Sequence, residues 1–200
     1  MTARRALLLA PLAAALLAAG CASINTVTCD VSSFGDWPAG RAAGSYAFER
    51  LPSQQANAAQ ADALEAAARR ALDKDGFKPA PAGTEPDVLV QIGARFTRTT
   101  VSPWDDPLWW NGGFGRWRRG PWVGPGWGVG MRFPAVHYYN EVALLLRDRA
   151  SGKPMYETRA ATDGSTRADA SIVAALFEAS LADFPRPALS PRSVTVTVAP

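Results

Sequence analysis

The chain has 200 residues, with 21 Lys and Arg against 18 Asp and Glu, a formal net charge of +3 and a single histidine. Arg4 and Arg5 belong to a leader described below, and removing them lowers the charge to about +1. That balance excludes a strongly basic nucleic-acid binder, one histidine excludes a multi-histidine metal centre, and two cysteines exclude a disulfide framework.

Residues 1–20 read as a signal peptide. Arg4 and Arg5 give a positive start, Ala6 to Leu17 an apolar centre, and Ala18-Ala19-Gly20 lead directly to Cys21. The apolar stretch is short of the ~20 residues that a spanning helix needs. The run resembles the bacterial lipoprotein signal, in which the cysteine is acylated. That resemblance implies lipidation of Cys21, a membrane as partner through the lipid, and burial of acyl chains at ~0.8 kcal/mol per CH₂. Ala22 in place of Asp favours the inner leaflet of the outer membrane, facing the periplasm. The remaining residues, 21–200, are expected to form one periplasmic domain.

Ser23 to Ser33 alternates Val27, Cys29 and Val31 and predicts a first strand, with Cys29 as a small buried residue. Phe34 to Arg41 holds Gly35, Pro38 and Gly40 and breaks it. Ser45 to Glu49 predicts a short second strand. Gln54 to Asp75 predicts an Ala-rich helix with Leu64, Ala68, Ala71 and Leu72 on one face. Gly76 stands where a C′ glycine ends a helix, and Phe77 is placed to fold back on the last turn.

Pro86-Asp87 opens the clearest strand. Val88, Val90, Ile92, Ala94 and Phe96 form one continuous apolar face, expected to lie on a core. Val142 to Arg147 and Met155 to Ala160 flank the polar turn Asp148 to Lys153 and predict a hairpin. Thr166 and Asp169 suggest a capping-box pair. The helix after them carries Ile172, Val173, Leu176, Phe177, Leu181 and Phe184, and Pro185 and Pro187 end it. Ser193 to Val198 reads as an edge strand or a tail.

Strands group around two helices without strict alternation. This predicts an α+β fold of two layers: two helices on a mixed or antiparallel sheet of about five to six strands, with a long irregular Gly/Trp-rich loop.

That loop, Pro103 to Pro134, fits no period. It holds Trp104, Trp109, Trp110, Trp117, Trp122 and Trp127, six of the chain's seven tryptophans, together with Arg118 and Arg119. A loop this long is functional or disordered, and tryptophan-rich composition is the opposite of ordinary disorder. One reading is an irregular connection whose indoles cover the domain's own surface. Another is an interaction surface: indole suits the headgroup level of a membrane and Arg meets phosphate, while tryptophan also stacks on sugars and anchors protein hot spots. An aromatic and arginine platform for nucleic acid is disfavoured by the export signal.

Catalytic chemistry finds little to work with. His137 is the single candidate base, in Phe133 to Tyr139, and a lone histidine beside aromatics is more often structural. Gly113-Phe114-Gly115 lacks the strand–helix context of a dinucleotide motif, and Asp105-Asp106 reads as a surface turn. No enzyme activity, cofactor or metal is expected. The chain reads as a non-catalytic interaction or structural module of the envelope with an envelope protein or glycan as partner, or alternatively as a ligand-binding module for an envelope glycan or small apolar molecule.

The order of these segments resembles the lipoprotein family carrying the domain of unknown function 4136. The resemblance rests on the lipobox Cys21, the strand Val27 to Val31, Ser45-Tyr46-Ala47-Phe48, the helix end Leu72 to Phe77, Pro86 to Val90, the Gly/Trp-rich stretch, and the hairpin from Tyr139-Asn140-Glu141-Val142 to Ser151-Gly152-Lys153-Pro154-Met155-Tyr156. Val142 and Tyr156 stand where the family usually has Gly and Trp. The family implies no activity, and Cys21 is the one site residue the resemblance carries over.

Overall fold

The structure is a computed structural model, and it describes residues 25–101 and 135–198. In chain order the elements are β1 (Thr26–Gly35), β2 (Ser45–Phe48), α1 (Pro52–Ala56), α2 (Ala58–Lys74), β3 (Lys78–Pro79), β4 (Val88–Val101), β5 (Ala135–Asp148), β6 (Pro154–Gly164), α3 (Ala170–Ser180) and β7 (Arg192–Thr197). The strands form one sheet in the order β3-β2-β4-β5-β6-β1-β7. Pairing is parallel at β2–β3 and β2–β4 and antiparallel elsewhere. No helix among the described residues is long and apolar enough to cross a membrane.

The α+β class and the mixed sheet agree with the sequence. Among the described residues, the expected five to six strands are corrected to seven and the two helices to three. The Gly/Trp-rich loop lies outside the described residues.

The sheet buries one face under the helices. Val88, Val90, Val142, Leu144, Leu146, Tyr156 and Ala160 point to that side, and all are essentially inaccessible. Above them lie Ala67, Ala68, Ala71 and Leu72 of α2 and Val173, Leu176 and Phe177 of α3. The alanines of α2 keep its buried face thin, which lets α3 pack close beside it. Trp37, Tyr46, Phe77, Tyr156 and Phe184 form an aromatic cluster, with centroids 4.9 Å apart at Trp37–Phe184 and 5.2 Å apart at Phe77–Phe184.

Three boundaries differ from the sequence reading. The predicted helix from Gln54 is interrupted at Asn57 (φ −119°, ψ 56°), which separates α1 from α2. The start of α3 is capped by Asp169 alone, whose side chain accepts from the backbone N–H groups of Ser171 and Ile172. Thr166 is not part of that cap; its carbonyl accepts from Asn140 at 3.1 Å. Finally, α3 stops at Ser180, ahead of the prolines. Phe184 lies beyond the helix, and its N–H bonds to the Leu181 carbonyl at 2.9 Å.

Candidate functional site

β4 and β5 pair without interruption from Val88↔Asp148 to Val101↔Ala135. Only part of that length is covered. β2 accompanies β4 no further than Val90, and the last contact from α1 is Gln54, whose Nε2 donates to the Ile92 carbonyl at 2.7 Å. On the far side of β5, pairing with β6 ends at Tyr138↔Gly164. The core closes at buried Asn140, held by Thr166. Past the last β6 pair at Tyr138, β4 and β5 continue as a two-stranded ribbon. Arg98, Thr99, Thr100 and His137 are exposed there, and Phe96 is 44% exposed. The expectation that Phe96 lies on the core is therefore corrected: the helices stop short of it.

The ribbon ends at Val101 and Ala135, the two described residues from which the tryptophan-rich segment departs and returns. Its position relative to the N-terminus follows from the register. Arg95, Glu141, Ala161, Asp30 and Ser193 form a single row across the sheet. Towards the same end from that row, Val101 is six residues on in β4 and Thr26 is four residues away in β1, the strand that starts the domain. At ~3.3 Å per residue these are ~20 Å and ~13 Å. Three strand spacings separate β1 from β4, about 14 Å. Cys21 is five residues before Thr26, within ~17 Å at full extension. The opposite end carries the turn Asp148 to Lys153 and the Arg41–Asp148 ion pair at 2.8 Å.

Chemistry at the ribbon end is modest. His137 Nδ1 lies 3.5 Å from Asp163, on an exposed surface. The Tyr139 hydroxyl donates to Glu141 at 3.2 Å, and burial, with Glu141 beside it, raises its pKa. Among the described residues no group of three or more His, Cys, Asp or Glu is arranged to hold a metal ion. Cys29 is buried and donates its thiol to the Val194 carbonyl at 3.5 Å. Burial, with Asp30 next to it, pushes its pKa up to about 11, which keeps the thiol protonated and unreactive.

Cys21, Trp104, Trp109, Trp110, Trp117, Arg118, Arg119, Trp122 and Trp127 lie outside the described residues. What the structure adds is where their segments join the domain. The sequence reading missed the ribbon itself. Its β-branched run Thr97 to Val101 was the available signal.

Across the sheet from the ribbon, at the β7 edge, a groove of about 250 Å³ opens between α2, α3 and β7, lined by Ala71, Lys74, Asp75, Glu178, Leu181, Ala182 and Val196. Burial pushes the Asp75 carboxyl up to about 6, with Glu178 adding to that effect and Lys74 opposing it.

No curated protein matches the chain. Among solved structures, a PDZ domain protein from Parabacteroides distasonis is similar in fold, with a TM-score of 0.52 at 14% identity; the match covers 86% of this chain and 38% of that one. Two structures of a PelC dodecamer from Paraburkholderia phytofirmans match with TM-scores of 0.38 and 0.37 at 12% and 14% identity, each covering 78% of this chain and 94% of the other. The family described as a Domain of unknown function (DUF4136) matches residues 30–186, most of the chain, and the chain belongs to that family.

Proposed function

We propose that the protein is a lipid-anchored lipoprotein of the outer membrane, facing the periplasm, that acts as a non-catalytic interaction module at the membrane surface. The supporting observation is the shared end of the sheet: β1 starts where the ribbon finishes. A lipid on Cys21 reaches Thr26 through a tether too short to let the domain turn away freely. The roots of the tryptophan tract then face the bilayer. Trp104, Trp109, Trp110, Trp117, Trp122 and Trp127 are suited to the headgroup layer, with Arg118 and Arg119 meeting phosphate.

Replacing Cys21 by Ala tests the anchor. The variant is expected in the soluble fraction after cell lysis, while the parent protein sediments with outer membranes. Retention of Cys21→Ala in the membrane pellet would refute a lipid anchor.

A further inference from the structure

Besides the short outer strand β3, the sheet has two edges that no strand among the described residues covers, and they match each other. One is β7. The N–H of Val198, one residue beyond it, bonds to the Asn25 carbonyl, and its Val194 carbonyl lies on the β1 side, accepting from the Cys29 thiol. Even-numbered residues of β7 therefore face β1, and the backbone groups of Ser193, Thr195 and Thr197 face outward. The other is the ribbon half of β4. The Val90 and Ile92 carbonyls face away from β5, accepting from Glu49 and Gln54. By the same alternation Ala94, Phe96, Arg98 and Thr100 present their backbone groups to that edge.

We infer that β7 of one copy pairs in parallel with the ribbon edge of β4 in a second copy, joining copies head to tail. The register needs no axial shift. Ser193 and Arg95 already lie in one row at opposite edges, and β4 and β7 run in the same direction. Ser193 then faces Arg95, Thr195 faces Thr97 and Thr197 faces Thr99. In a parallel pair an outward residue bonds to the two neighbours of its partner, and the odd residues of β7 meet the even residues of β4, as required. Side chains match as well. Exposed Phe96 meets Val194 on the helix side, and threonines face threonines on the open side.

Charge complementarity selects this partner. Arg95 of the neighbour falls in the same row and on the same face as Asp30, two strand spacings or about 10 Å away and within reach of its long side chain, with Ser193, which donates to Asp30 at 2.9 Å, between them. Arg98 of the neighbour falls beside Val196, at the groove whose lining holds Asp75 and Glu178. Pairing β7 with β7 of another copy would be antiparallel and would point the two N-terminal ends in opposite directions. Head-to-tail pairing keeps every Cys21 on one side, and this preference rests on the anchoring proposed above. A heterologous contact of this kind builds a closed ring or an open row.

Cysteine cross-linking of the full chain tests the contact. The double variant Thr97→Cys with Thr195→Cys, oxidised in membranes, is expected to give a ladder of oligomers on a non-reducing gel, and each single variant none. Mixing the two single variants in detergent should give a dimer. Cross-linking of Thr195→Cys alone would overturn the inference in favour of like edges pairing. A failure to cross-link while both introduced thiols remain titratable would also overturn it, including the case in which residues 102–134 cover β4. Should the double variant not fold, hydrogen exchange on the parent protein decides: amides of 94–100 and 192–198 gain protection with rising concentration if the edges pair, and do not otherwise. The ladder is read again in Cys21→Ala, so loss of anchoring and loss of pairing register separately.

Discussion

Asp75 shows how a residue acquires its properties from distant chain. It ends α2, and in sequence it reads as an ordinary acid at a helix terminus. It lines a groove together with Leu181 and Val196, from α3's exit and β7, and burial raises its carboxyl from 3.8 to about 6. The folded state therefore holds a proton more tightly than the unfolded chain between about pH 4 and 6. Stability falls as pH rises through that window, because the folded state binds the extra proton. Asp75→Asn keeps the shape and removes the charge. It is expected to raise Tm at pH 7 by roughly 3–6 °C, and the gain should vanish near pH 4. Thermal melts across that range check this; a gain independent of pH would assign the effect to something other than the buried carboxylate.

At the scale of elements, legibility followed burial. The alternation in β4 reads from Val88 to Phe96, but it marks burial only as far as Ile92, where one face is covered, and misplaces exposed Phe96. It fades from Thr97 onward, where both faces meet solvent and nothing selects apolar residues. β3 spans only Lys78–Pro79 and has no pattern to read. The end of α2 was fully legible: Gly76 at φ +88° lets its own N–H reach the Asp73 carbonyl at 3.2 Å and the Phe77 N–H reach Leu72 at 3.0 Å, with Phe77 buried beneath. Gly35 read only as a strand breaker. It closes the β1–β6 pairing at φ +128°, and a Cβ there would lie 2.4 Å from the Met155 carbonyl oxygen. Gly76→Ala meets nothing closer than Ala43 at 3.9 Å, so its cost should be conformational, about 1–2 kcal/mol. Gly35→Ala adds a backbone clash and is expected to cost clearly more. Chemical denaturation of both variants checks the order, and equal costs would contradict it.

At the scale of the molecule, the sequence carries a resemblance to a lipoprotein signal and a tryptophan-rich tract, but not their relation. That relation depends on strand order. β6 lies between β1 and β5, which sets the direction of β1 against the ribbon, and no local pattern encodes it. The domain closes its core with α2 and α3 over one face of the sheet, leaving the ribbon to project past it. On the anchoring proposed through Cys21, the molecule would stand with the ribbon towards the bilayer and the turn Asp148 to Lys153 away from it. Spin labels at Thr100→Cys and Ser151→Cys, in the lipidated protein on vesicles carrying a nickel-chelating lipid, measure this orientation directly. The account predicts strong relaxation of the label at position 100 and little at 151. Equal relaxation at both, or the reverse order, would contradict it.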